Sequence, residues 1–195
     1  MSVAASVRDC LAGGPFDARR LEQVFAECFE QSENTRLIGG ADEPLYLPTN
    51  AAQAHARLFY REDFFASALH ETAHWCIAGS LRRRQRDFGY WYAPEGRGAA
   101  EQRAFLQVEA RPQALEWCFA AACGYRFRLS LDDFAAVADA AEATDFARRV
   151  VAEAQRFQQR GLPERAGRFF DALACEFGTG ASLGELAFNS ADCKW

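Results

Sequence analysis

The chain has 195 residues, half of them hydrophobic and a quarter charged, with a formal net charge of −5. That balance fits one domain with a real core and excludes a disordered tail, and the charge gives no general attraction to nucleic acid, so no direct nucleic-acid partner is expected. No apolar run approaches the ~20 residues that span a bilayer, and residues 1–9 lack the basic-then-apolar pattern of a secretory signal, so no membrane association is expected either.

In chain order, residues 17–31 form the first predicted helix. Asp17 is the expected N-cap, and Leu21, Val24, Phe25, Cys28 and Phe29 share one face. Residues 36–48 contain Gly39-Gly40, Pro44 and Pro48, which predicts short extended segments joined by turns. Residues 58–60 read as another short strand. A second helix is expected over about 64–78, capped by Asp63 and ended by Gly79. It is apolar on most sides and should be central and buried. Arg82, Arg83, Arg84 and Arg86 follow it, as a solvated cationic face or a dock for an acidic partner.

Residues 87–92 are aromatic and β-prone, and 94–96 signal a turn. Two helical stretches are predicted over 99–109 and 112–123, with a kink or boundary at Arg111, because the residue before a proline is pushed out of α geometry. Further helices are expected at 132–140, 144–160 and 163–176. The tail after Gly178 carries few signals and reads as loosely attached. The whole is an α+β fold: a helix-rich single domain of residues 1–195, its core about 36–176, with a small sheet and a central motif-bearing helix. No βαβ rhythm and no phosphate-binding glycine loop appears, which argues against a nucleotide enzyme. The seven cysteines form no CxxC pair and read as small buried hydrophobes.

The strongest chemical signal is His70-Glu71-Thr72-Ala73-His74, an HExxH inside the predicted buried helix. Residues four apart lie on one helix face, so the two imidazoles converge on one ion, and neutral imidazole suits zinc or ferrous iron. Glu71, the expected catalytic residue, lies about 100° round the helix, within reach of metal-bound water. The flanks are apolar, so two buried histidines and a glutamate need partners, which a metal supplies. A third ligand is required. Glu109, in an apolar setting, is the favoured source; Glu116, His55 and Asp87 are the alternatives, Glu116 also as a hydrogen-bonding support to a ligand. Two histidines and a carboxylate admit two chemistries: a zinc peptidase with Glu71 as general base, or a facial iron site that binds dioxygen. The motif alone favours the peptidase.

Longer matches change this balance. Residues 64–79, containing the motif, resemble the signature of the bacterial elongation factor P hydroxylase family. Residues 40–48, 87–92, 108–109, 112–117 and 161–165 agree with it in order, so the resemblance covers about 36–170. The resemblance implies a cytoplasmic, iron-dependent monooxygenase that takes dioxygen as co-substrate, with zinc a possible occupant as purified. Its fold is not a double-stranded β-helix. Its protein partner would be elongation factor P, hydroxylated on its β-lysylated lysine, and His70, His74 and Glu109 would hold the metal. No role for Glu71 follows from the resemblance. A modified lysine carries amino groups, so its pocket should be acidic and partly aromatic. Asp42, Glu43, Asp87 and Tyr90 are the substrate-binding candidates, with Glu95 and Trp91 of the same types nearby.

Overall fold

A computed structural model describes residues 14–87, 99–130 and 140–193. Helix α1 (Ala18–Phe29) is followed by strands β1 (Thr35–Ala41), β2 (Leu45–Leu47) and β3 (Ala56–Arg61), and then by α2 (Phe65–Ile77). The rest is helical: α3 (Ala99–Cys123), α4 (Ala140–Arg160) and α5 (Glu164–Glu176). The fold is therefore the helix-rich α+β domain that the sequence predicts. No helix among the described residues is long and apolar enough to cross a membrane.

The sheet is small and open, in the order β1-β3-β2. β3 lies parallel to β1 and antiparallel to β2. β1 shifts register between Ile38 and Ala41, where Gly40 takes a positive φ of 83°. A side chain at Gly39 would press on the Tyr60 hydroxyl at 2.6 Å and the Glu62 carbonyl at 2.8 Å, so only glycine fits there. Glu22 of α1 closes this corner, accepting from the Gly39 amide at 2.8 Å and the Tyr60 hydroxyl at 3.0 Å.

Asp17 caps α1 through a 3.0 Å bond from the Arg19 amide, and Leu21, Val24, Phe25 and Phe29 are buried on one stripe. Phe25 and Phe29 meet the Trp75 ring of α2 edge-on or tilted at 5.0 and 4.8 Å, and also approach Phe169 of α5. α2 thus sits between the sheet, α1 and α3, buried on most sides.

Four expectations need correction. Asp63 does not cap α2; its N-cap is Phe64, with no side-chain bond, and Ser67 accepts from the Arg61 amide instead. α2 ends at Ile77, one residue short of the expected end, with Ala78 the extended C-cap before Gly79. No boundary falls at Arg111: α3 runs unbroken for 25 residues with Pro112 inside it. Pro112 is buried where α3 packs on its neighbours, so tertiary contact overrides the local bias of a proline. The residues after Gly178 are not loose. Thr179 donates to the Ala122 carbonyl at 2.7 Å, Gln158 of α4 donates to the Leu186 carbonyl at 2.6 Å, and Phe188 is buried against Trp117. The helix expected at 132–140, except for its last residue, and residues 88–98 lie outside the described residues.

Candidate metal centre

The site lies where α2 crosses α3. His70 and His74 are one turn apart on α2, and Glu109 and Glu116 are two turns apart on α3. Because α3 is continuous through Pro112, both carboxylates face the same histidine. Glu109 Oε1 lies 3.2 Å from His70 Nε2 and 3.6 Å from His74 Nε2, and the two Nε2 atoms are 3.0 Å apart. On the other side of the ring, His70 Nδ1 lies 2.8 Å from Glu116 Oε2. A carboxylate only accepts, so Nδ1 carries the proton and donates, leaving Nε2 directed at the cluster.

His70, His74 and Glu109 form a donor set that could hold a metal ion. A circle through the three ligand atoms has a radius of about 1.9 Å, close to the ~2.0–2.2 Å at which imidazole and carboxylate donors grip an ion. Glu109 is 3 % exposed, and its second oxygen, Oε2, is buried without a hydrogen-bond partner among the described residues, a costly arrangement that a cation would relieve. The Glu116–His70 contact is the support that metal-bound histidines characteristically have. The residues present therefore fit a mononuclear metal.

Electrostatics give the same picture. Burial resists ionisation of Glu109, but His74 and His70 outweigh it and hold the carboxyl down at about 2. Burial also works against charge on His70, yet Glu109 and Glu116 on either side raise its pKa well above the ordinary value. His74 goes the other way: burial, only partly offset by Glu109, lowers it. The two carboxylates thus favour positive charge at His70, and burial favours the uncharged form of His74.

The other sequence candidates divide. Glu71 is buried at 6 % exposure and lines a small cavity of about 30 Å³ with His74 and Asp87. Asp87 is brought there by pairing with β2: its amide and carbonyl bond the Tyr46 carbonyl and amide at 3.1 and 2.7 Å, and its carboxylate pairs with Arg82. Asp42 and Glu43 are exposed in the turn after β1 and line neither cavity beside the site. Tyr90, Trp91 and Glu95 lie outside the described residues. His55 precedes β3, half-buried, and is not in the cluster.

Sequence reasoning missed Arg165. Its Nη2 donates to the Trp75, Cys76 and Ala78 carbonyls at 3.1, 3.1 and 2.6 Å, closing the C-terminus of the histidine helix, and its guanidinium stacks 4.6 Å from the Trp75 ring. The signal was present. A cation in the first turn of α5 opposes that helix's dipole, so it must serve something else. Arg83, of the cationic run, is half-buried and pairs with Glu33 at 2.6 Å; Glu33 also lies 3.7 Å from Arg165.

Fold and site together define an α+β protein in which two histidines of an HExxH helix and one carboxylate form a group that could hold a metal ion. The model of the family described as elongation factor P hydroxylase matches residues 24–187. The elongation factor P lysine hydroxylase of Haemophilus influenzae (strain ATCC 51907 / DSM 11121 / KW20 / Rd) is 42% identical over 166 residues, covering 85% of this chain and 92% of that protein. The chain belongs to the elongation factor P hydroxylase family.

Proposed function

We propose that this protein is an iron-dependent monooxygenase of the cytoplasm that hydroxylates the β-lysylated lysine of elongation factor P. The observation that carries the reading is the convergence of His70 Nε2, His74 Nε2 and Glu109 Oε1 in a chain of this family. Three protein donors that leave positions open suit ferrous iron and its reaction with dioxygen. Bound iron would supply the binding and activation of dioxygen.

The chain's own residues do the rest. His70, His74 and Glu109 hold the ion. Glu116 keeps the His70 proton on Nδ1 and leaves Nε2 free for the ion. The apolar surroundings of α2 keep bulk water away. Glu71, in the small cavity beside His74, holds or passes a proton there, and Asp87 presents a carboxylate to the substrate's amino groups. Retaining one oxygen atom in the product and reducing the other to water takes two electrons and two protons from a separate reductant.

The position of Glu71 beside His74 supports a second reading, a zinc peptidase with Glu71 as general base. Intact mass separates the two. Iron-reconstituted protein, a reductant, oxygen and β-lysylated factor should yield factor heavier by one oxygen atom, and Glu109→Ala should abolish the gain. Cleaved factor without added oxygen would refute the hydroxylase reading.

A further inference from the structure

A groove of about 820 Å³ opens beside the metal centre, with His74 and Ile77 of α2 at one end and α3, α4 and residues 161–163 as its walls. Four arginines line it, Arg82, Arg111, Arg156 and Arg160, against one carboxylate, Glu153. Arg156 pairs with Glu153 and Arg82 with Asp87. Arg111 packs over the Phe157 ring at 5.5 Å and, like Arg160, has no carboxylate within ion-pair distance among the described residues. Both are exposed, as is the apolar Val108, at 55 %. The groove is therefore apolar at its base, cationic at its rim and continuous with the ligand His74. A modified lysine is itself cationic, so these guanidiniums do not recognise the side chain being oxidised.

We infer that this groove docks an acidic segment of the substrate protein flanking the modified lysine, with Arg111 and Arg160 receiving its carboxylates. The inference rests on the proposed hydroxylase reading. A lysine that reaches the metal centre from a protein must lay its neighbouring backbone on the surface around the site, and on the α3–α4 side that surface is this groove. An open, rimmed channel suits a loop of chain, and planar guanidiniums suit bidentate carboxylate pairing.

The test uses the iron-reconstituted full chain and β-lysylated elongation factor P. Arg111→Glu with Arg160→Glu should raise KM for the factor at least tenfold and leave kcat within twofold. Arg111→Gln with Arg160→Gln should fall between that variant and the native chain. The affinity lost should shrink as salt rises from 0.05 to 0.3 M, because added ions screen exposed pairs. Arg126→Glu with Arg128→Glu, both exposed after α3 and outside the groove, carries the same charge change and should leave KM unaltered. Calorimetric binding of the factor is measured alongside turnover. Arginine-dependent, salt-sensitive binding without oxygen gain would uphold the groove and refute the hydroxylase reading. Oxygen gain with an unchanged KM would overturn the groove. A fall in kcat at constant KM would also overturn it, placing a small anionic co-reactant there.

Discussion

Removing Arg165 tests how firmly the histidine helix is held. Its Nη2 carries two protons for three carbonyls, so it makes at most two full charge-assisted bonds, each worth about 1.5–3 kcal/mol. Its side chain is only 13 % exposed, and stacking on Trp75 adds about 0.5–1 kcal/mol. Release of the side chain in Arg165→Ala returns about 2 kcal/mol of rotamer entropy. The net loss should be about 3 kcal/mol, and for a chain of this size each kcal/mol lowers Tm by roughly 2–4 °C. Metal-free Arg165→Ala should therefore melt about 6–12 °C below the native chain in calorimetry or circular dichroism. Arg165→Lys should recover only part of this, because an ammonium cannot stack on the ring as a planar guanidinium does. A shift under 2 °C for the alanine variant would refute the claim that these bonds secure the end of α2.

Glu116→Ala should weaken metal binding about 10–100-fold without removing a ligand, because the imidazole it orients loses its hydrogen-bonded partner. Competition against a chelating dye measures this, and an unaltered affinity would assign Glu116 a packing role only. Burial pushes the Cys118 and Cys123 thiols up to about 12 from an ordinary 9.0. Above pH 9 the unfolded thiols ionise while the folded ones stay protonated. Their contribution to stability is complete below pH 9 and is lost as pH rises toward 12, with a slope of about 1.4 kcal/mol per pH unit for each thiol. Urea midpoints from pH 8 to 11 should fall accordingly, and less steeply in Cys118→Ala.

Much of this was legible in the chain because the relevant signals are local. Asp17 and the stripe from Leu21 to Phe29 announce α1, and residues 64–78 announce a buried helix. The spacing of His70 and His74 is a property of one helical turn. What depended on packing was harder to read. The continuity of α3 turns on contacts with α2, α4 and α5 that outweigh the proline, so Glu116 reads as a doubtful neighbour until those contacts are seen. The role of Arg165 depends on α5 meeting the end of α2, a contact across about ninety residues. Asp42 and Glu43 have the right chemistry for an amine pocket, and their place in an exposed turn follows from the Gly39, Gly40 and Pro44 punctuation of the sequence. Residues 179–193 have little periodicity because their hold comes from backbone carbonyls received by Gln155 and Gln158, which leaves no pattern in side-chain type.

The unbroken course of α3 sets a constraint on length as well as on composition. Glu109 and Glu116 hold opposite nitrogens of one imidazole, and seven residues bring the helix back to within about 20° of its starting direction. One residue inserted or deleted between them would swing one carboxylate about 100° away and shift it about 1.5 Å along the axis. The stretch from 109 to 116 therefore works as a fixed-gauge spacer. Its intervening side chains can be exchanged where packing allows, but its number of residues cannot change without undoing either the contact of Glu109 with the two imidazoles or the support of Glu116 behind His70.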